Sequence, residues 1–378
     1  MSTLATQIQL RSPYLVFLAD VPDHIHAKTG LGVAQWCPER CLGQLRLPGC
    51  GTDAGLPDMD VTAAVARGAK SLIVGVAPIG GAIKESWIAA LKQAARAGLD
   101  IVAGLHSKLA AVPGLTEAAA EGGARLVDVR VPPAGIPIGN GRKRGGLRLL
   151  TVGTDCAVGK KYSALAITKE LHRRGIKATF RATGQTGIMI AGEGMPIDTV
   201  VCDFTAGAAE MLSPDNDADH WDVIEGQGSL FHPAYAGVSL GLLHGSQPDA
   251  IVVCHEAQRH AHAGFPDYRL PGMVECIDLH LRMAQRTNPK VRCVGLCVNT
   301  MLLPKSERNS WLRHFAELTR LVCIDPLVEG PAGIVDKMLE AAPSQSSRPA
   351  DDVQTEGTTR KTSRPNKSTI PGLPQEIK

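Results

Sequence analysis

"LLTVGTDCAVGKKYSALAITKEL", residues 149–171, decides how this chain is read. An apolar, strand-like run enters a glycine turn, and the turn opens directly into an amphipathic helix. Backbone N–H groups in such a turn, aimed along a helix N-terminus, form an anion cradle. The cradle runs from Gly153 through Thr154, Asp155, Cys156, Ala157, Val158 and Gly159 to Lys160, whose ammonium adds a point charge for a phosphate. Two departures stand out. Five residues separate the glycines, where the common phosphate-loop pattern has four. The residue after the lysine is Lys161, where a Ser or Thr hydroxyl normally holds magnesium. The expectation is a loop that holds phosphates without being a good magnesium–triphosphate hydrolase site. Cys156 lies inside the loop with no histidine beside it in sequence, so a packing role is expected over an acyl-cysteine role.

Working outward, apolar runs alternate with helical patterns on both sides of this motif. Before it, "YLVFLAD" (14–20), "KSLIVGVAPIGG" (70–81), "LDIVAGLHS" (99–107) and "RLVDVRVPP" (125–133) read as strands. Helices are expected at 60–69, 84–98 and 115–124. After the motif, strands are expected within 177–187, 221–230, 248–256 and 291–300, and closing helices at 307–321 and 333–342. Strands alternating with helices predict an α/β chain with parallel, doubly wound sheets. Ligands bind such sheets at the carboxyl ends of the strands. In the first half those ends carry Gly80 and Gly81, residues 104–107, and Asp128 to Arg130. The break "AGIPIGNGRKRGG" (134–146) reads as a linker with a solvated basic cluster. The expected organisation is a first domain at 1–135, a linker at 136–147, a second domain at 148–341 and a tail at 342–378. The tail has almost no large apolar residues and is expected to be disordered.

Composition fits two ordinary folded domains: 378 residues, 44% hydrophobic and 20% charged. A net charge of +3 is too small to argue for nucleic acid or an anionic membrane as partner. No apolar run is long enough to span a bilayer, and the N-terminus lacks the pattern of a secretory signal. The expected compartment is the cytosol, where the ten cysteines are reduced thiols. Cys37, Cys41 and Cys50 have no second Cys/His pair at zinc-finger spacing, so no metal site is expected there.

Four further features carry chemistry. "DVIEGQGS" ends an apolar strand in Glu225, where an acidic residue in P-loop proteins sits near phosphates; a strand-end cap is the alternative. "RATGQTG" leaves a strand through Thr183, Gln185 and Thr186 in a polar glycine turn. Asp203, after "TVVC", is expected at a strand end, as a base or ammonium partner or as an N-cap. "CHEAQRHAH" brings His255 and Arg259 to one face if it is helical, and an arginine at a strand's carboxyl edge suits a substrate carboxylate.

Taken in order, "GVAPIGG", "GLHS", "DVRVPP", "GTDCAVGKK", "TGQTGIMIAG", "DFTAGAAE", "IEGQGSLFHPAYAGVSLGLLHGSQPDA" and "CHEAQR" resemble a two-domain family long carried as a domain of unknown function. That family joins a Rossmann-like N-terminal half to a P-loop C-terminal half, and the resemblance spans about 14–340. Some members are D-glutamate N-acetyltransferases that use acetyl-CoA. The resemblance implies that the loop holds CoA phosphates, that the acceptor is an acidic amino acid and that no metal is required. It implies direct acyl transfer, with Arg130 or Arg259 clamping a carboxylate and with Asp203, Glu225 or His232 as proton acceptor. N–H groups of the "TGQTG" turn are the implied oxyanion donors. The loop and "EGxG" also resemble dethiobiotin synthetase, an ATP- and magnesium-dependent ligase; there Asn299 matches a position that reads adenine, which CoA also carries. An ATP-dependent ligase or kinase is therefore the alternative, and a nucleotide- or CoA-binding module without chemistry the third. A homo-oligomer is the expected assembly.

Overall fold

The structure, a computed structural model, describes residues 7–77 and 81–340. The tail at 342–378 and Gly80 lie outside those residues. A short strand β1 (Ile8–Gln9) precedes β2 (Tyr14–Ala19), β3 (Cys41–Arg46), β4 (Ser71–Val74), β5 (Asp100–Ala103) and β6 (Leu126–Asp128). The last five form a parallel sheet in the order β3-β2-β4-β5-β6. The second half contributes β7 (Leu147–Gly153), β8 (Ala178–Arg181), β9 (Glu193–Gly194), β10 (Trp221–Ile224), β11 (Ala250–Glu256), β12 (Ala261–His262), β13 (Phe265–Arg269), β14 (Arg292–Asn299) and β15 (Cys323–Ile324). Six of these form a parallel sheet, β15-β14-β11-β7-β10-β8, while β12 and β13 make a separate hairpin. The α/β expectation is met. Strands covered on both faces read as unbroken apolar runs, and "YLVFLA" is buried at every position.

The halves share material. Strand β1 pairs antiparallel with β9, and the Leu10 N–H donates to Gly192 O at 2.7 Å. The core beneath the first sheet includes Leu165, Ala182, Ile188, Met189 and Ile190 from the second half. Trp36, at the end of helix Lys28–Trp36, stacks on Tyr162 of helix Lys160–Arg173 with ring centroids 5.9 Å apart. Interlocking of this kind is a tertiary effect, and no local pattern announces it.

Four local expectations are corrected. Residues 199–203 form no strand: Ile197–Thr199 and Cys202–Phe204 are 3₁₀ turns, and Asp203 is exposed. The run "TVVC" is too short and too open to enter a sheet, with Val201 67% exposed. The "TGQTG" segment is the start of helix Gln185–Ala191, with Gly184 at its N-cap. His255 lies in β11 and Arg259 in the loop after it, so they share no helix face. In the basic break, Arg142 and Lys143 are exposed, but Arg144 is buried, and burial pushes it down to about 10. Its guanidinium donates to Glu210 O at 2.7 Å and Ser213 O at 2.8 Å, filling backbone acceptors that solvent cannot reach.

Asp100 opens β5 and is fully buried. Burial raises its carboxyl, but hydrogen bonds from Arg11 and Arg125 outweigh this and hold it below the usual carboxylate range. A depressed carboxyl contributes stability above its unfolded pKa and loses it as pH falls through the folded one. Asp100→Asn is expected to lower the unfolding free energy at neutral pH by about 2 kcal/mol. The gap from wild type should shrink as pH drops below about 4; urea denaturation at pH 7 and pH 3 measures both.

Candidate active site

The phosphate-type loop joins β7 to helix Lys160–Arg173, and its turn needs left-handed backbone at Ala157 (φ 55°) and Gly159 (φ 99°). Side chains from three other segments hold it. The Asp155 carboxylate, fully buried, accepts from Arg259 Nη1 at 2.9 Å, the Ala263 N–H at 2.9 Å and His262 Nδ1 at 2.8 Å. Burial pushes this carboxyl up; the donors, His262 first, bring it below its ordinary value. Thr154 Oγ1 lies 2.9 Å from His255 Nδ1, whose ring burial lowers to about 4, so the imidazole is neutral. Ser229 Oγ donates to Thr154 O at 3.1 Å. Lys160 is buried inside the loop, its Nζ donating to Asp155 O at 2.6 Å, and burial lowers its pKa.

Beside the loop lies a cavity of about 480 Å³. Loop residues Cys156, Ala157, Gly159 and Lys160 line it, with Lys161, Gln185, Thr186, Glu225 and Asn299. Lys28 and Arg130 come from the first half. The cavity thus lies between the carboxyl edges of both sheets. Another open groove of similar size, along Leu45 to Asp60, presents Arg46 and Asp58 already paired and gathers no chemistry.

Glu225 follows β10 and faces this cavity, yet it is 4% exposed. Its Oε2 accepts the Thr183 N–H at 3.0 Å and the Gly184 N–H at 3.2 Å. A Cβ at Gly187 would overlap the carboxylate, so the helix can approach only as glycine. Burial pushes the Glu225 carboxyl up, against Lys161 and the two amides. Those two N–H groups are therefore not free as oxyanion donors. Lys161 stands where a phosphate loop normally has its magnesium-holding hydroxyl and presents a cation to the cavity.

Other sequence-chosen residues divide clearly. Arg130 lies within reach of the cavity, its Nη1 donating to Gln185 Oε1 and its Nη2 3.1 Å from Asp198 Oδ2. Thr183 is buried and structural: Oγ1 donates to Glu225 O at 2.8 Å and accepts from Gln227 Nε2 at 2.9 Å. Arg259 does not line the cavity; its donors are spent on Glu256, Asp155 and Cys156 O. Asp203 is exposed and outside it. His232 is sealed beneath Tyr235 and Phe265, with ring centroids at 4.5 and 5.0 Å. Sequence reasoning missed Lys28, Tyr162 and Asp198, all lining residues. Lys28 opens a helix after a strand end, and Asp198 follows "MPI"; neither carries a motif.

Among the described residues one group could converge on a cation, Asp155, His232 and His262, with donor atoms within 4.8 Å of one another. The group does not fit one. Asp155 is already satisfied by three donors. His232 Nδ1 accepts the Ala234 N–H at 3.1 Å, which assigns the ring proton to Nε2 and removes the lone pair a metal needs.

The chain was compared with known proteins. Residues 137–335 match a P-loop domain of unknown function, DUF1611_C, and residues 45–132 match its Rossmann-like partner, DUF1611_N. A protein of Tritonibacter scottomollicae named D-glutamate N-acetyltransferase is 48% identical over 329 residues, 87% of this chain and 99% of its own. One of the same name from a Pseudoalteromonas species is 43% identical over 328 residues, again 87% and 99%. A crystal structure of a DUF1611 family protein from Anabaena variabilis superposes with a TM-score of 0.75 at 31% identity, covering 87% of this chain and all of that one. With both halves matched and relatives aligned over nearly their full length, this chain belongs to the DUF1611 family.

Proposed function

We propose that the protein is an N-acetyltransferase that moves the acetyl group of acetyl-CoA to the amine of D-glutamate. The observation that carries this reading is a preformed phosphate loop with Lys161, a cation, in place of the magnesium-holding hydroxyl. A fixed positive charge suits the phosphates of CoA, which must be held and never cleaved. The names of the two relatives supply the reaction class and the acceptor. A cytosolic location and a homo-oligomeric assembly belong to the same reading.

In this proposal the loop amides, Lys160 and Lys161 hold the CoA phosphates, and Asn299 lies at the cavity wall for the adenine. Arg130 takes a carboxylate of the acceptor. Glu225 removes one proton from the substrate ammonium. The freed nitrogen adds to the thioester carbonyl carbon, the C–S bond breaks, the nitrogen loses its second proton and the sulfur leaves as the CoA thiol. Glu225 suits the task because burial raises its carboxyl toward working pH while two amides fix one oxygen. Asp203 and His232 do not, being respectively outside the cavity and sealed from it.

Release of free thiol from acetyl-CoA with D-glutamate, without ATP, is the direct test; phosphate release from ATP with no thiol release would return the chain to the ligase class. Lys160→Ala is expected to weaken CoA binding roughly tenfold or more by calorimetry, and an unchanged affinity would remove the loop from the site. Lys161→Thr should lose a similar factor and regain part of it when magnesium is added, whereas the wild type should show no such response. Glu225→Gln should keep CoA affinity while kcat falls by about 10²–10⁴-fold. Because a raised carboxyl is a base only above its pKa, wild-type kcat should decline on acidification at a pH above the ordinary carboxylate range, and this limb should vanish in Glu225→Gln.

A further inference from the structure

The acceptor's charged ends need opposite partners, and the cavity lining supplies them as a pair. Arg130 comes from the end of the first sheet and Asp198 from the turn Ile197–Thr199 of the second half. The two meet through one contact, Arg130 Nη2 to Asp198 Oδ2 at 3.1 Å, and both line the cavity. Their side chains are 25% and 30% exposed. Asp198 thus differs from the other carboxylates near the loop. Asp155 is sealed and saturated by donors. Glu225 is buried and tied by two amides. Among the described residues the Asp198 carboxylate makes no other ion pair and accepts no hydrogen bond.

We propose that Asp198 is the ammonium-binding residue of the acceptor site, forming with Arg130 a two-charge clamp for an α-amino acid. The inference rests on the acetyl-transfer reading and adds to it which residue selects an amine. Arg130 draws in a carboxylate, and Asp198 receives the adjacent ammonium. Asp198 and Glu225 are close enough to act on one another electrostatically, Asp198 raising the Glu225 carboxyl. An ammonium held on Asp198 therefore sits within the field of the group proposed to deprotonate it. Acids lacking the amine meet a repulsive carboxylate in the same place, so the pair rejects as well as attracts.

The test compares an acid with and without its amine on the full chain. D-glutamate and glutarate are titrated by calorimetry into wild type, Asp198→Asn and Arg130→Gln, each with CoA bound. Asp198→Asn is expected to weaken D-glutamate by about tenfold or more while binding glutarate more tightly than wild type. Arg130→Gln should weaken both acids. CoA affinity should be unchanged in both variants, which reports an intact fold. If Asp198→Asn loses D-glutamate and glutarate alike, Asp198 only positions Arg130 and the inference is overturned, while thiol release by the wild type would leave the acetyl-transfer reading standing. If the wild type binds CoA but neither acid, the inference and the acceptor assignment both fall.

Discussion

The Asp155 carboxylate is the fixed point of the second half. It lies inside the phosphate loop, yet its three partners come from the segment beyond β11: the Arg259 guanidinium, the His262 ring and the Ala263 amide. One buried anion thereby ties the loop to the hairpin β12–β13. An irregular loop lacks the hydrogen-bond ladder of a helix or strand, and its amides converge on an anion when side chains fix the turn. Here that fixing comes from charge-assisted bonds in a place water does not reach. The cost of burying the carboxylate is offset by its donors, and its pKa remains low despite desolvation.

Around this point the cavity lining carries Lys160 and Lys161 from the phosphate loop, the Arg130–Asp198 pair, and the buried Glu225. The arrangement needs both halves of the chain, because Lys28 and Arg130 come from the first and everything else in the lining from the second.

Much of this was legible in the residues. Unbroken apolar runs such as "YLVFLA" and "AIVVC", rich in β-branched and aromatic residues, suit covered parallel strands, and they form them. The loop was legible because its geometry is local: strand, turn and helix are contiguous, and Gly159 and Lys160 carry their own explanation. What failed was direction. Residue type shows that Arg259 is a cation near a strand's carboxyl end, but not that its donors turn inward to Glu256 and Asp155. Asp203 and Asp198 stand five positions apart, and only the packing of the turns decides which meets Arg130. Thr183 was chosen as a substrate ligand, but its hydroxyl donates to Glu225 O, 42 residues away. Long-range pairing sets each of these outcomes, and a sequence pattern records only short-range preference.

The ribbon of β1 with β9 has a consequence for the order of events on the ribosome. Residues 8 and 9 leave the exit tunnel early, but their partners at 193 and 194 are not yet made. The same holds for the core beneath the first sheet, which waits for Leu165 and for Ile188 to Ile190. Translation adds roughly 5–20 residues per second, so the first sheet spends several seconds with apolar surface uncovered. The amino-terminal half is therefore a late finisher despite being first out, and its completion is timed by the helix that carries Gln185 and Thr186 to the cavity. A chain that ends between residues 130 and 190 contains the sequence of every strand of the first sheet but lacks part of the core that covers it.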